Sequence, residues 1–384
     1  MLDRLPVELV EQIVCLAVPS RNNRLIDQER MRALSTYCLV SKHLTSVSQR
    51  LLFSVVELIS LDAAERFLEA ATAELGSVVR VLGFAQQPQQ HDALHVRNAL
   101  LRRLAKRCPG IGEMRFFHCR FDLASCEPFS GLRRLIVNET VIDATQPFVL
   151  PALAELAATD SQMDLHSQTH LLSPKHVPSL RAVSFPSLFD RRAPADPPPL
   201  AIDLLLPFLQ HLDTFSCDLH CLERYPQLRN HPRILLEHEL DPPEDAWDED
   251  GEWVLPLPRL EGAVHIRLHV YCSHVAHIPA SEVALSEDGT SLLPSLEAFR
   301  EALDTQQVGS LQSIYLPSNF RPPSGDTTPF FGAVSGIIAA CRRHGVEVVF
   351  EPPWSFRSVS IVSREFWQRC TAKHGERGGG EAAE

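Results

Sequence analysis

The chain has no excess of positive charge, no long apolar run and no paired cysteines, and each absence excludes a class of function. The net charge is −12, so there is no general electrostatic footprint for nucleic acid. No apolar run approaches the ~20 residues of a membrane-spanning helix. The best candidate, FFGAVSGIIAAC at 330 to 341, is about half that. Asp3, Arg4, Glu8 and Glu11 leave no room for the apolar segment of a signal peptide. The 10 cysteines are scattered without a C-x-x-C pair in a chain of 384 residues, which needs no disulfide stapling. They read as reduced, mostly buried thiols of the cytoplasm or nucleus. Also missing are a P-loop, a G-x-S-x-G elbow, an H-E-x-x-H pair and a Rossmann glycine set. Gly332 to Gly336 reads G-A-V-S-G, which puts no serine at a nucleophile elbow. The expectation is a protein without enzymatic activity, metal or cofactor, with neither nucleic acid nor membrane as partner.

What is present begins with an ordinary apolar fraction of 45%, enough for a sizeable core, in a length typical of two domains or an elongated repeat stack. Pro6 suits the first turn of a helix, where its missing N–H costs nothing. Leu9, Ile13 and Leu16 then recur at helical spacing, with Val10 and Val14 beside them. Pro19 and SRNN at 20 to 23 end that helix. A second helix is expected from Asp27 as N-cap, with Met31, Leu34 and Cys38 on one face. Ser41 can cap a third, carrying Leu44, Val47, Leu51 and Leu52. Three short helices bury little apolar surface alone, so such a module is better stabilised by a partner.

These residues resemble an F-box of fungal type. Its opening L-P-x-E-L-x-x-x-I is matched by Leu5, Pro6, Glu8, Leu9 and Ile13, and its later L-V-S-K segment with L-x-F by Leu39, Val40, Ser41, Lys42, Leu51 and Phe53. The tryptophan of the third helix is Leu44 here. The resemblance implies docking onto the Skp-type adaptor of a cullin-RING ubiquitin ligase, and through it a cullin, with Leu5, Pro6, Leu9, Ile13, Leu39, Val40 and Leu52 near the adaptor. Residues 1–52 would be the F-box-like module.

Beyond it, FSVVELI at 53 to 59 and VVRVLGF at 78 to 84 read as strands. LDAAERFLEAATAELG reads as a helix ended by Gly76, and Ala93 to Arg107 as a helix stopped at Cys108-Pro109-Gly110. This alternation argues a parallel sheet. A weak repeat follows: an apolar anchor, then apolar residues three and five positions on. The anchors are Ile111, Leu132, Leu153, Leu180, Leu209 and Leu311, and Leu260 fits with its strand slipped by one. The frame resembles an irregular leucine-rich repeat, although the Asn that usually follows the strand is mostly absent. The fold expected is α/β: a short all-α F-box module, then an irregular leucine-rich-repeat-like solenoid with a parallel sheet over residues 53–370.

In such a strand the apolar positions point inward and the residues between them point to the opposite face. That assigns Arg115, Phe117, Ile136, Asn138, Ser184, Asp213, Phe215 and Tyr315 to a surface for a target protein. RRAPADPPP at 191 to 199 reads as extended. The acidic EHELDPPEDAWDEDGEW at 237–253 reads as an insertion loop, with Trp247 and Trp253 as possible anchors for a basic partner. Residues 371–384 read as a disordered tail. His265, His269, Cys272, His274 and His277 carry zinc-ligand chemistry. A strand sends His265 and His269 to one face and Cys272 to the other, so they read as ordinary strand and loop residues. Two readings follow: a substrate-recognition subunit of an SCF-type ligase, or an interaction scaffold with a degenerate F-box.

Overall fold

In the computed structural model, which describes residues 6–18, 24–40, 42–86, 93–144, 146–159, 161–164, 174–184, 188–190, 212–218, 233–239, 263–269, 292–305, 311–325 and 328–351, the chain is α/β with parallel sheets. It divides into two compact units, one of Met1–Arg181, Ser187–His211 and Ser355–Ser358, the other of Ala182–Pro186, Leu212–Trp354 and Val359–Glu384.

The first unit opens with three helices, α1 (Val7–Ala17), α2 (Arg24–Val40) and α3 (Lys42–Phe53). The Pro6 carbonyl accepts the Leu9 and Val10 N–H groups at 3.1 Å, which starts α1. Thr45 Oγ1 donates to the Cys38 carbonyl at 2.7 Å and ties α3 to the end of α2. Val10, Val14, Val18, Leu34, Leu44 and Val47 form one buried cluster, with Ala33, Tyr37, Leu51 and Leu52 at its margin. Two expectations are corrected. Helix α2 starts at Arg24, so Asp27 lies within it instead of capping it. Met31 is exposed while Leu34 is buried, because the buried side of α2 follows Leu34 and Tyr37.

Next come β1 (Val55–Leu58), α4 (Leu61–Ala70), α5 (Ala73–Val78), β2 (Val81–Ala85), β3 (Leu94–His95) and α6 (Asn98–Arg107). Phe53 therefore closes α3 and takes no part in β1, and Leu94 lies in a strand ahead of α6. The single helix expected to end at Gly76 is two. Ser60 Oγ caps α4 by accepting the Ala63 N–H at 3.0 Å. Thr72 Oγ1 caps α5 by accepting that of Leu75 at 3.2 Å; side-chain oxygens of this kind satisfy the free donors of a first turn. Gly76 sits inside α5, where a Cβ would collide with the Arg107 carbonyl oxygen.

From here the unit repeats. Strands β4 (Glu113–Phe117), β6 (Arg134–Asn138) and β8 (Glu155–Thr159) start 21 residues apart. Each is followed across a one- or two-residue corner by a short partner: β5 (Cys119–Asp122), β7 (Val141–Asp143) and β9 (Ser161–Asp164). With β11 (Leu188–Asp190), these build two parallel ladders, β1-β2-β4-β6-β8 and β3-β5-β7-β9-β11. The carbonyl ahead of each strand accepts two N–H groups from the next turn of chain. Ser54 does this for Arg80 and Val81, Arg80 for Gly112 and Glu113, Gly112 for Arg133 and Arg134, and Arg133 for Ala154 and Glu155. The anchors Ile111, Leu132, Leu153 and Leu180 are all buried. Phe84 and Phe116 are register partners, stacked at 5.4 Å. Phe116 also stacks on Phe121 of the second ladder at 3.9 Å, joining the two across the core.

The corners carry the finest periodicity. His118 and Glu139 hold φ of 52° and 47°, the left-handed region that costs a non-glycine residue about 1–2 kcal/mol. Just past them, Thr140 Oγ1 accepts the Cys119 N–H at 3.3 Å, and Ser161 Oγ accepts the Thr140 N–H at 3.2 Å. Cys119, Thr140 and Ser161 thus form a buried polar ladder at 21-residue steps.

The second unit orders β10 (Ala182–Ser184), β12 (Thr214–Asp218), β13 (Arg233–Glu239), β14 (Ala263–His269), β15 (Leu311–Pro317) and β16 (Glu347–Glu351) as β10-β12-β13-β14-β15-β16, all parallel. Helices α7 (Leu293–Thr305) and α8 (Pro329–Arg343) bring Leu296, Phe299, Leu303, Phe331, Val334 and Ile337 into its core. FFGAVSGIIAAC therefore lies in a helix that buries one stripe, Phe330, Phe331, Val334, Ile337 and Cys341 among it, and exposes Gly332, Ser335 and Ala339. The anchor expected at Leu209 lies outside the described residues, and β12 takes its frame from Leu212, which is buried three positions later. Leu260, the proline-rich segment 191–199, Trp247 and Trp253 of the acidic segment, and the tail 371–384 also lie outside the described residues. Among the described residues no helix is long and apolar enough to cross a membrane.

Candidate functional site

Helix α1 is apolar on two sides. Val10, Val14 and Val18 face the buried cluster of the helical module. Leu9, Ile13 and Leu16, at i, i+4 and i+7, share the opposite side and are exposed, Leu16 by 87%. A surface helix normally keeps one apolar stripe for its core; this one carries a second apolar row in solvent. At the end of α2, Leu39 is 88% exposed and Val40 64%. Of the residues assigned to adaptor contact, Pro6, Leu9, Ile13, Leu39 and Val40 are exposed, and Leu5 lies outside the described residues. Leu52 is half-buried at the margin of the module's own cluster. Leu16 and Met31 are exposed apolar residues missing from that assignment. The signal for Leu16 was present, since it continues the row of Leu9 and Ile13.

Leu44, at the position where the resemblance to an F-box would place tryptophan, is buried among Val10, Val14, Leu34 and Val47. Its effect therefore acts on internal packing and leaves the exposed row untouched. Arg50 and Glu11 form a surface ion pair between α3 and α1, which holds α1 on its neighbours without covering Leu9 or Ile13.

The second surface is the sheet face of the first unit. Strand register aligns Val55, Val81, Glu113, Arg134 and Glu155 in one row, and Glu57, Gly83, Arg115, Ile136 and Ala157 in the next. Glu113 Oε1 meets Arg115 Nε at 2.6 Å, and Glu113 Oε2 meets Arg134 Nη1 at 3.5 Å. Arg134 Nη2 meets Glu155 Oε2 at 2.5 Å. The charges on this face thus neutralise one another along the row, and the exposed Glu57 lies on the β1 side.

Of the eight residues assigned to target recognition, Arg115 and Phe117 are half-buried and Asp213 is exposed. Ile136, Asn138, Ser184, Phe215 and Tyr315 are buried, which corrects their assignment to an open face. Ile136, Asn138, Phe215 and Tyr315 sit on interior strands, between side chains of two flanking strands. For Phe215 the cause is the shifted frame: with Leu212 as anchor it becomes an inward position, paired in register with Val183. Tyr315 lies on the same side of β15 as Ser313, whose Oγ shares a 2.6 Å hydrogen bond with His265 Nδ1. The register sets Ser184, Ser216, Leu235, His265 and Ser313 in one buried row. Cys272, His274 and His277 lie outside the described residues. Among the described residues no group of three His, Cys, Asp or Glu side chains is placed to hold a metal ion.

No protein-family model matches the chain, and no curated protein matches it.

Proposed function

We propose that the chain is the substrate-recognition subunit of an SCF-type cullin-RING ubiquitin ligase, with α1–α3 as its F-box and the remainder as a leucine-rich-repeat-like receptor. The observation that carries this reading is the exposure of Pro6, Leu9, Ile13, Leu39 and Val40 on a helical module whose buried cluster is built from other residues. A leucine-rich repeat follows L-x-x-L-x-L-x-x-N/C-x-L. With Ile111, Leu132 and Leu153 as first positions, Cys119, Thr140 and Ser161 fall on its N/C position, and the hydrogen bonds between them supply the ladder that an Asn would. The subunit performs no bond-making step of its own. It holds a target near the ubiquitin-charged enzyme, and the rate gain comes from effective concentration.

The test is co-purification of the full chain with a Skp-type adaptor. Burying a leucine-sized side chain contributes ~1.5–3 kcal/mol, so Leu9→Asp with Ile13→Asp is expected to weaken binding by ~100-fold or more. Both side chains are exposed, so circular dichroism of the variant should match wild type. Absence of adaptor binding by wild type, or equal binding by the variant, sinks the proposal and leaves an interaction scaffold with a degenerate F-box.

A further inference from the structure

We propose that the C-terminal segment Val359–Cys370 seats on the strand face of the second unit that lies opposite α7 and α8, and so occupies the face a target would use. Along β12 to β15 the register sets Ser216, Leu235, His265 and Ser313 in one row, with Tyr315 two residues past Ser313 on the same side. All five are buried. Flanking strands account for only part of this. Strands lie ~4.8 Å apart and their side chains stand roughly perpendicular to the sheet, so neighbours shield the sides of a residue and leave its tip in solvent. Leu235 stands beside the shorter Ser216, and Tyr315 beside the shorter Val349. Yet Leu235 is 0% exposed and Tyr315 6%, so a further layer of this chain lies over them. Ile234, Leu236, Ile266, Leu268, Ile314 and Leu316 alternate with this row and are buried on the other face. The sheet is therefore covered on both sides, as parallel sheets are.

Topology selects that layer. Strands β12 to β16 are parallel and follow one another across the sheet in chain order. A crossover between parallel neighbours is right-handed, so every connection between these strands passes over one and the same face. That face holds α7 and α8, which stand in consecutive crossovers and pack together. A Cβ at Gly336 of α8 would lie 2.6 Å from Arg300 Cδ of α7, and Arg343 pairs with Asp304. The connection 240–262, with Trp247 and Trp253, is another of these crossovers. Within the second unit this leaves the chain after β16, of which Val359–Glu384 belongs to the unit. Val359, Ile361, Val362, Phe366 and Trp367 give its first part apolar surface to set against Leu235 and Tyr315, whereas 371–384 holds no apolar residue larger than alanine. Seven residues separate Glu351, the end of the edge strand, from Val359, a reach of up to ~23 Å; β13 lies three strand spacings back, ~14 Å. The seating holds whether or not the chain docks an adaptor; that it withholds a target face rests on the ligase reading.

The experiment is diethyl pyrocarbonate labelling of histidines in the full chain, read by mass spectrometry. His265 is buried and should react slowly, with the exposed His344 as reference. Phe366→Asp with Trp367→Asp should speed labelling of His265 by about tenfold or more and leave His344 unchanged. Trp247→Asp with Trp253→Asp, in a crossover, should leave His265 protected. So should Leu9→Asp with Ile13→Asp, which tells failure of this proposal apart from failure of adaptor docking. Photo-crosslinking from benzoylphenylalanine in place of Phe366 should join the segment to peptides that carry β13, β14 or β15. That crosslink decides the matter where circular dichroism shows the Phe366 and Trp367 pair variant to be unfolded. Labelling of His265 as fast as His344 in wild type overturns the proposal. So does equal protection in the folded Phe366 and Trp367 variant, exposure of His265 by the folded Trp247 and Trp253 variant, or crosslinks that are absent or fall elsewhere.

Discussion

Thr140→Val tests whether the corner ladder holds the repeats together. Thr140 is 1% exposed. Its hydroxyl accepts the Cys119 N–H at 3.3 Å and lies 2.7 Å from the Asn138 carbonyl and 3.1 Å from that of Phe116. One hydroxyl proton serves one carbonyl at a time, so a single donated bond is lost, about 1 kcal/mol net. The Cys119 N–H is left buried without an acceptor, a further cost of about 1–3 kcal/mol. Valine returns up to about 0.8 kcal/mol through its added methyl. The expected loss is therefore about 1.5–3 kcal/mol. Thr140→Ser keeps the hydroxyl and loses only a methyl, so it should cost about 1 kcal/mol. Urea denaturation of the two variants measures the difference, and hydrogen exchange at the Cys119 amide should quicken in the valine variant alone. A valine variant as stable as the serine variant, with unchanged exchange at Cys119, would refute the argument.

Three further outcomes concern the interior. Leu44→Trp, which writes the tryptophan of an F-box into the third helix, adds volume to a small filled cluster and should destabilise the helical module by about 1–3 kcal/mol; a thermal melt showing equal or higher stability would mean that the cluster has room. Burial pushes the thiols of Cys119, Cys126 and Cys341 up to about 12 and that of Cys108 up to about 11, from 9.0. The unfolded chain releases these protons first, so their contribution to stability is complete below about pH 9 and is lost as pH rises toward 11–12. The urea midpoint should fall between about pH 8 and pH 10.5, less steeply in Cys126→Ala. In native protein near pH 8 alkylation should mark the exposed Cys15 and spare these four; modification of Cys119 or Cys126 without unfolding would contradict the packing.

Where apolar spacing was strong, sequence and structure agree closely. The frames at Ile111, Leu132 and Leu153 lead directly into β4, β6 and β8, because a strand with one buried face repeats every second residue and its anchor must be apolar. The same logic placed helices over α1 and α3 and set Leu9, Ile13 and Leu16 in one row of α1. The second ladder escaped it. Strands β5 and β7 have four and three residues, too short for an alternation to register, and the corners before them use His118 and Glu139, residues that carry no turn signal. The break at Ala71 was hidden for a related reason: LDAAERFLEAATAELG is good helix throughout, and only the Thr72 side chain bonding to Leu75 shows that a new helix starts there.

The apolar pattern of the sequence thus determined by itself that this is an α/β chain, with a helical N-terminal module and a repeating parallel-strand frame. The tertiary structure decided which sides of those elements meet solvent. Ile136 and Phe215 were assigned to an open face and are buried, since burial depends on the neighbouring strands and on the Leu212 frame, not on residue type. Helix α1 reads as equally apolar on two sides, and only the cluster of Leu34, Leu44 and Val47 packed against Val10 and Val14 leaves Leu9, Ile13 and Leu16 in water. Periodicity records that a side is apolar; the partner that covers it is chosen by contacts between segments far apart in the chain.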